Sequence, residues 1–430
     1  MTRTMKDSGI KWIGFIPKHW PVSKFKYSSI MYTGNSIKDS EKDEYSSLEM
    51  ARPYISTKNI DLSNNTINYE SGIYIKVCNK TFKIAPANST LMCIEGGSAG
   101  KKKAFLAQSV CFVNKLCCFI ANNNYNSKYI YYFLTSPNYE DEFISNIEGL
   151  IGGVSINKLK TISILCPPLP EQQAIADYLD DKCAQMDNIT ATINEQIEVL
   201  KQYKKSVITE AVTKGLDHNV PMKDSGVEWI GQIPEHWEVI KGKYRLKLLN
   251  RPVKENDEVI TCFRDGEVTL RSKRREDGFT ISLQETGYQG INPGDLVVHG
   301  MDGFAGAIGI SDSRGKATPV LNVLDTKENK KFFMYYLRTL AFTEVFIALS
   351  TGIRVRSCDT NWNKLRQLVY LIPPLSEQQA IADYLDDKCT KIDAVIADKQ
   401  AQLETLAAYK KSLIYEYVTG KKSVPGFEEA

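Results

Sequence analysis

Two segments of this chain carry apolar residues at nearly every seventh position for about five heptads. In the first, Leu179, Met186, Ile193, Leu200 and Val207 form a column; in the second, Leu385, Ile392, Lys399, Leu406 and Leu413 do so. A second column four residues earlier reads Ile175, Lys182, Ile189, Gln196, Tyr203 and Ile381, Lys388, Val395, Gln402, Tyr409. The pair of columns makes an a/d seam. No Gly or Pro interrupts either segment before Gly215 and Gly420, which are natural helix stops. Pro170 suits a first helical turn, and Ser376 with Gln379 makes a capping box. Each segment therefore predicts a helix of roughly 40 residues, about 60 Å long at 1.5 Å per residue. Such a seam cannot stay exposed to water, so the two helices are expected to pack on each other. A pseudo-two-fold axis would make them antiparallel. Lys182, Lys388, Gln196 and Gln402 are expected to fix the register as polar seam residues. Two ordinary amphipathic helices in separate domains are the plainer alternative.

The segments are copies. EQQAIADYLDDKC at 171–183 returns unchanged at 377–389, each time after a proline pair. MKDSGIKWIGFIPKHW at 5–20 returns as MKDSGVEWIGQIPEHW at 222–237. This shorter motif is too broken by Gly and Pro for a long helix, and reads as an irregular anchor that docks its tryptophans on the body of each half. Between anchor and helix the halves diverge but keep a skeleton. LMCI at 91–94 and LVV at 296–298 read as strands, and NSKYIYYFL (126–134) and NKKFFMYYL (329–337) as buried helices. NKLKTISILCPP (157–168) and NKLRQLVYLIPP (363–374) read as a turn plus a strand. Short alternating runs elsewhere indicate a twisted sheet with a few helices. The expected fold is α+β, a tandem duplication with an internal pseudo-two-fold. Its parts are a domain over 1–168, a long helix over 169–215, a second domain over 216–374, a second helix over 375–420 and a tail over 421–430.

Net charge is only +3, so a nucleic-acid surface would have to arise from local clustering. No signal peptide or membrane-length apolar run is visible, and the expected location is cytoplasmic. None of the ten cysteines has CxxC spacing, and Cys183 and Cys389 read as packed small hydrophobes. His19 and His236 lack ligand-spaced neighbours and read as packed histidines, so no metal is expected.

Catalytic signatures are wanting. EGGSAGKKKA at 95–104 fails as a phosphate loop, because Glu95 replaces the first glycine and Lys102 the magnesium-binding hydroxyl. GMDGFAGAIG at 300–309 lacks the acidic partner of a dinucleotide site. The proline pairs read CPPL and IPPL, without the amide or carboxylate and the aromatic that an amino-methyltransferase needs. Basic clusters remain. Arg264, Arg271, Lys273, Arg274 and Arg275 fall within twelve residues on an expected strand-turn. Arg354 and Arg356 alternate, so both would point to one face if extended. The first half offers Arg52, Lys58, Lys76, Lys80, Lys83, Lys101, Lys102 and Lys103, interleaved with Tyr54, Tyr69 and Tyr74. Arginine reads guanine and lysine holds phosphate, while Asn64, Asn65, Gln284 and Gln289 suit adenine. Any one of these is more commonly plain surface charge; the grouping is what points to DNA.

SG(I/V)xWIGxIPxHW opening each half and PPLxEQQAIADYLDxK opening each long helix resemble the specificity subunit of type I restriction-modification systems, over essentially the whole chain. That resemblance implies two target-recognition domains separated by two antiparallel helices, each domain reading one half of an asymmetric bipartite sequence in double-stranded DNA. It implies a non-catalytic chain with no cofactor of its own. Two methyltransferase subunits would carry S-adenosylmethionine, and translocating restriction subunits would use ATP and Mg. Equivalent docking faces are expected on the helices near Asp177, Asp181, Asp383 and Asp387. Base-contacting residues do not transfer between such divergent domains, so the DNA-binding set remains Arg52, Lys58, Lys101–Lys103, Arg264, Arg271, Lys273–Arg275, Arg354 and Arg356. A scaffold with no DNA role is the competing reading, and a silent specificity cassette would look the same.

Overall fold

The computed structural model describes residues 3–149, 152–275, 277–278, 285–348 and 360–427. The chain forms two compact units. One combines the residues up to Asn194 with those from Gln400 onward; the other is Glu195–Lys399. The long helices are Leu169–Lys214 and Leu375–Val418, of 46 and 44 residues, so each contributes one half to each unit.

Inside each unit the helix halves run antiparallel. In the first, Leu179, Cys183 and Met186 share a core with Leu413, Ile414 and Tyr417. In the second, Val207, Ile208 and Ala211 share one with Ile381, Leu385 and Cys389. The first predicted column is the inward one; of the second, only its first members Ile175 and Ile381 are buried. Ile189, Tyr203, Val395 and Tyr409 stand half-exposed, whereas Cys183, Ile197 and Ala211 on one helix and Cys389 and Tyr417 on the other are buried. The seam's second column thus lies four residues after the first, not four before. The reason is desolvation: the predicted column would have buried Lys182, Gln196, Lys388 and Gln402, at a cost that hydrogen bonds only partly offset. Of the four, Gln196 does bridge the helices, and groups outside that column share the register with it. Lys204 reaches Asp393 at 2.6 Å and Lys410 reaches Asp187 at 2.6 Å, two ion pairs related by the repeat. Lys399 adds a hydrogen bond to Gln196 at 2.6 Å. Lys182 instead pairs along its own helix with Asp181.

Each anchor is a short antiparallel hairpin, Met5–Asp7 with Phe15–Pro17 and Met222–Asp224 with Gln232–Pro234. It ends in a tryptophan, Trp20 or Trp237, with no solvent exposure. The helix-stop glycines make room for it. Gly420 (φ +69°) has Pro17 2.4 Å from where a Cβ would sit, and Gly215 (φ +77°) has Trp237 3.3 Å away. A side chain at either place would both strain the turn and displace the anchor.

The variable domains share one antiparallel sheet with the same strand order. In the first unit it runs Ser29–Thr33, Leu116–Ala121, Thr90–Cys93, Lys103–Phe105; in the second, Leu246–Leu248, Leu321–Thr326, Leu296–His299, Ile308–Ile310. A helix follows in each, Ser127–Thr135 or Lys330–Phe342, capped by Asn126 or Asn329. A strand before each long helix, Ser163–Leu165 or Val369–Ile372, pairs with one just after the anchor. Beyond this skeleton the units differ. The first adds a four-stranded sheet, Tyr74–Lys76, Ala51–Ile55, Val110–Phe112, Ile84–Ala85, with one parallel pair. The second adds two separate pairs, Ile260–Cys262 with Val268–Leu270 and Gln289–Ile291 with Gly315–Ala317.

Candidate nucleic-acid interface

The identical 171–183 and 377–389 segments are the mounts that hold these variable domains. Glu171 is buried and accepts from Arg3, from His19 at 3.1 Å and from the Trp20 indole at 2.9 Å. Glu377 accepts from His236 at 2.8 Å. Both histidines thus serve the anchor-to-helix joint. Gln172 and Gln378 are buried; each donates to the first carbonyl of its proline pair and accepts the amide of the capping Asn126 or Asn329. Gln173 and Gln379 accept from those same asparagines' side chains. Two turns on, Asp180 takes Lys128 and the Tyr132 hydroxyl, and Asp386 takes Lys331 and the Tyr335 hydroxyl. One sequence grips two domains because it grips only what they share, the anchor and the Asn-capped helix.

On the first mount, Arg52 lies in the strand Ala51–Ile55 opposite Ile75. Lys58 is exposed in the turn Thr57–Asn59, which Ser56 and Asn59 close as a capping box. Lys102 folds onto that turn, its ammonium 2.7 Å from the Thr57 carbonyl. Lys58 and Lys102 are therefore brought together at that turn, and Lys101 is exposed beside Lys102 in sequence. Lys103 leaves the set. It is 2% exposed and 3.3 Å from Glu140, and burial pulls its ammonium below the usual lysine range. A lysine so enclosed cannot reach a phosphate. Tyr54 is likewise spent, bonded to the Asn35 carbonyl at 2.6 Å with its phenol pushed up to about 12 by burial.

On the second mount the dense basic cluster is largely neutralised. Arg271–Arg274 form a short helix rather than a strand-turn. Arg274 binds Asp265 at 2.6 and 3.0 Å and Glu267 at 2.6 Å, and lies 4.0 Å from the Phe263 ring centroid. Arg264 pairs with Asp302 at 2.9 Å, and Lys273 with Ser313 at 2.6 Å and Asp312 at 3.3 Å. Arg271 donates to Thr261 at 2.9 Å, and desolvation lowers its pKa. Arg275 is exposed at the end of this helix. Beneath, Arg338 is deeply buried and donates to the Gly266 and Ile308 carbonyls, fixing the turn that carries Asp265 and Glu267. The arrangement is a rigid set of carboxylate-held cations with fixed directions, suited to geometric readout more than to bulk attraction. Gln289 is withdrawn as an adenine reader, since it is buried and bonded to the Leu321 carbonyl. Arg354, Arg356 and Gln284 lie outside the described residues.

Sequence reasoning missed the lysines that the long helices themselves bring to the domains. In the first unit a cleft of about 900 Å³ has Lys128, Lys410 and Lys411 in its walls with Lys101, Asn64 and Asn65. The repeated Tyr-Lys-Lys-Ser at 203–206 and 409–412 was the available signal. Among the described residues no group of three or more His, Cys, Asp or Glu is placed to hold a metal ion, and no helix is long and apolar enough to cross a membrane.

Comparison with known proteins agrees with this architecture. The family model for the type I restriction modification DNA specificity domain matches residues 24–199. The type I restriction enzyme MjaVIII specificity subunit of Methanocaldococcus jannaschii is 27% identical over 407 residues, covering 87% of each chain. The StySPI specificity subunit of Salmonella potsdam is 20% identical, covering 95% of this chain and 90% of its own. A chain from a structural study of complex assembly in a type I R-M system superposes with a TM-score of 0.68 at 12% identity, covering 95% of this chain and 99% of that one. The HsdS subunit of Thermoanaerobacter tengcongensis gives 0.50 at 13% identity, covering 95% and 98%. These two likenesses speak for the fold alone. By sequence, then, the chain is similar to the specificity subunits of type I restriction enzymes, over residues 24–199 for the family model and over most of its length for these relatives.

Proposed function

We propose that the chain reads an asymmetric bipartite DNA target, one part with each variable domain, and holds the two readers apart on its long helices. The observation that carries this reading is the contrast between mount and load. The same two glutamines and aspartate grip the same helix in both units, while the strands added beyond the shared sheet differ in number and pairing. Identical mounts with different readers suit a target whose parts are unlike. The recognition domains are 1–168 and 216–374, the spacer helices 169–215 and 375–420, and the tail 421–430.

Two methyltransferase subunits dock on the helices, and restriction subunits join that complex in the cytoplasm. S-adenosylmethionine, ATP and Mg belong to those partners. Two equivalent faces support the docking. Ile189 and Tyr409 flank the Asp187–Lys410 ion pair, and Val395 and Tyr203 flank Asp393–Lys204, all four apolar side chains half-exposed. Asp177, Asp181, Asp383 and Asp387 add exposed charge on the same helices.

The decisive experiment is a genome-wide methyladenine map in a methylation-free host expressing the chain with its methyltransferase. A single asymmetric bipartite motif, absent when the chain is omitted, is expected. No new methylation from a soluble, stable complex would refute the reading. Replacing Arg271, Arg274 and Arg275 together by Ala is expected to weaken binding through one half-site only; unchanged affinity for that half would remove the cluster from the interface.

A further inference from the structure

Tyr-Lys-Lys-Ser occurs once in each long helix, and its two lysines do different work. The first, Lys204 or Lys410, makes the interhelix ion pair. The second, Lys205 or Lys411, forms no ion pair among the described residues. Successive helix residues are about 100° apart, so it lies roughly 200° round the helix from the exposed tyrosine two places earlier. It therefore faces away from the apolar patch assigned above to a protein partner.

Each second lysine lines a cleft between the helix and the variable domain of its own unit. In the first unit the three cleft carboxylates Glu140, Asp180 and Asp187 are taken by Lys103, Lys128 and Lys410, which leaves Lys411 and Lys101 as the uncompensated charges. In the second unit a cleft of about 540 Å³ sets Lys205 and Lys214 among the hydroxyls of Ser206, Thr209 and Thr213. Glu210 is its one carboxylate, and the Lys205 ammonium sits 5.6 Å from the Phe342 ring. Lysines among hydroxyl and amide side chains are the groups that hold nucleic-acid phosphates.

We infer that Lys205 and Lys411 contact backbone phosphates of duplex DNA, one in each half of the target, so that the repeated frame supplies both half-sites with the same sequence-independent share of affinity. The inference rests on the DNA-reading role proposed above.

The test uses the complex assembled with its methyltransferase and a duplex carrying the mapped motif, with Lys205→Ala and Lys411→Ala singly and together. Losing one phosphate contact lowers the salt slope by about 0.9, so each lysine's wild-type advantage should shrink roughly three- to fourfold between 50 and 200 mM salt. The methylated motif should stay the same, and Lys→Arg should restore the slope. Lys204→Ala and Lys410→Ala are expected to lower thermal stability and leave the slope alone. Parallel salt lines for wild type and variants, a changed motif, or loss of methyltransferase from the variant complex would each overturn this inference while leaving the bipartite reading intact. Absence of sequence-specific binding by the wild-type complex would overturn both.

Discussion

Deleting one heptad from each long helix, residues 190–196 and 401–407, is expected to shorten the unread gap in the target by about three base pairs and leave both half-sites unchanged. A heptad spans roughly 10 Å of helix, and a base pair about 3.4 Å of duplex. The two deletions face each other across the seam, so Asp187 still meets Lys410 and Asp393 still meets Lys204. A seven-residue cut also preserves the inward columns; a cut of five or six would turn Leu179 and Leu413 to different faces. The old motif should lose methylation, and a new one with the same ends should gain it. Altered ends, or an unchanged gap, would show that the helices do not set the spacing. Cutting only one helix should be far worse, because it leaves one heptad unopposed and the two ion pairs can no longer form together.

Glu171→Ala should cost the first unit about 3–5 kcal/mol, the range for stripping a buried charged network of one member. Glu171 is buried, and its removal takes an acceptor from the Arg3 guanidinium and the acceptor of the buried Trp20 indole NH. Glu377→Ala, at the same place in the repeat, should cost about 1 kcal/mol or less. Its carboxylate is partly exposed and serves a half-exposed histidine, and the Trp237 indole NH has no hydrogen-bond partner there. Hydrogen exchange resolves the two: protection should fall across 3–24 and 163–186 in the first variant and barely change across 222–241 and 369–389 in the second. Equal losses would mean that the repeat is as symmetric in energy as in sequence.

Much of the frame was legible because it is written twice. Both long helices, the shared strands and the Asn-capped helices follow from aligned copies. The seam was half legible. A seven-residue period fixes one column, but the second lies three or four residues away on either side, and the apolar bulk of Ile189 and Tyr203 favoured the wrong side. The right side was marked by what it avoids, since Cys389, Ile396 and Leu403 replace Lys388, Val395 and Gln402. The site was less legible. Asp265 and Glu267 stand beside Arg274 in sequence, but Asp302 and Asp312, which hold Arg264 and Lys273, come from about forty residues further on and arrive only through folding. Lys103 shows the same limit: the two lysines before it are exposed and half-buried, and only the strand register turns it inward onto Glu140.

That the first unit is built from both ends of the chain has a consequence during synthesis. The ribosome completes residues up to Asn194 well before it makes Gln400. At about 5–20 residues per second, the emerged half waits roughly 10 to 40 seconds for the strip of helix that covers Leu179, Cys183 and Met186. The second unit is contiguous and finishes first. Newly made chains therefore hold an open apolar seam, available to a chaperone or to a second nascent copy, until the helix from Gln400 to Val418 leaves the exit tunnel.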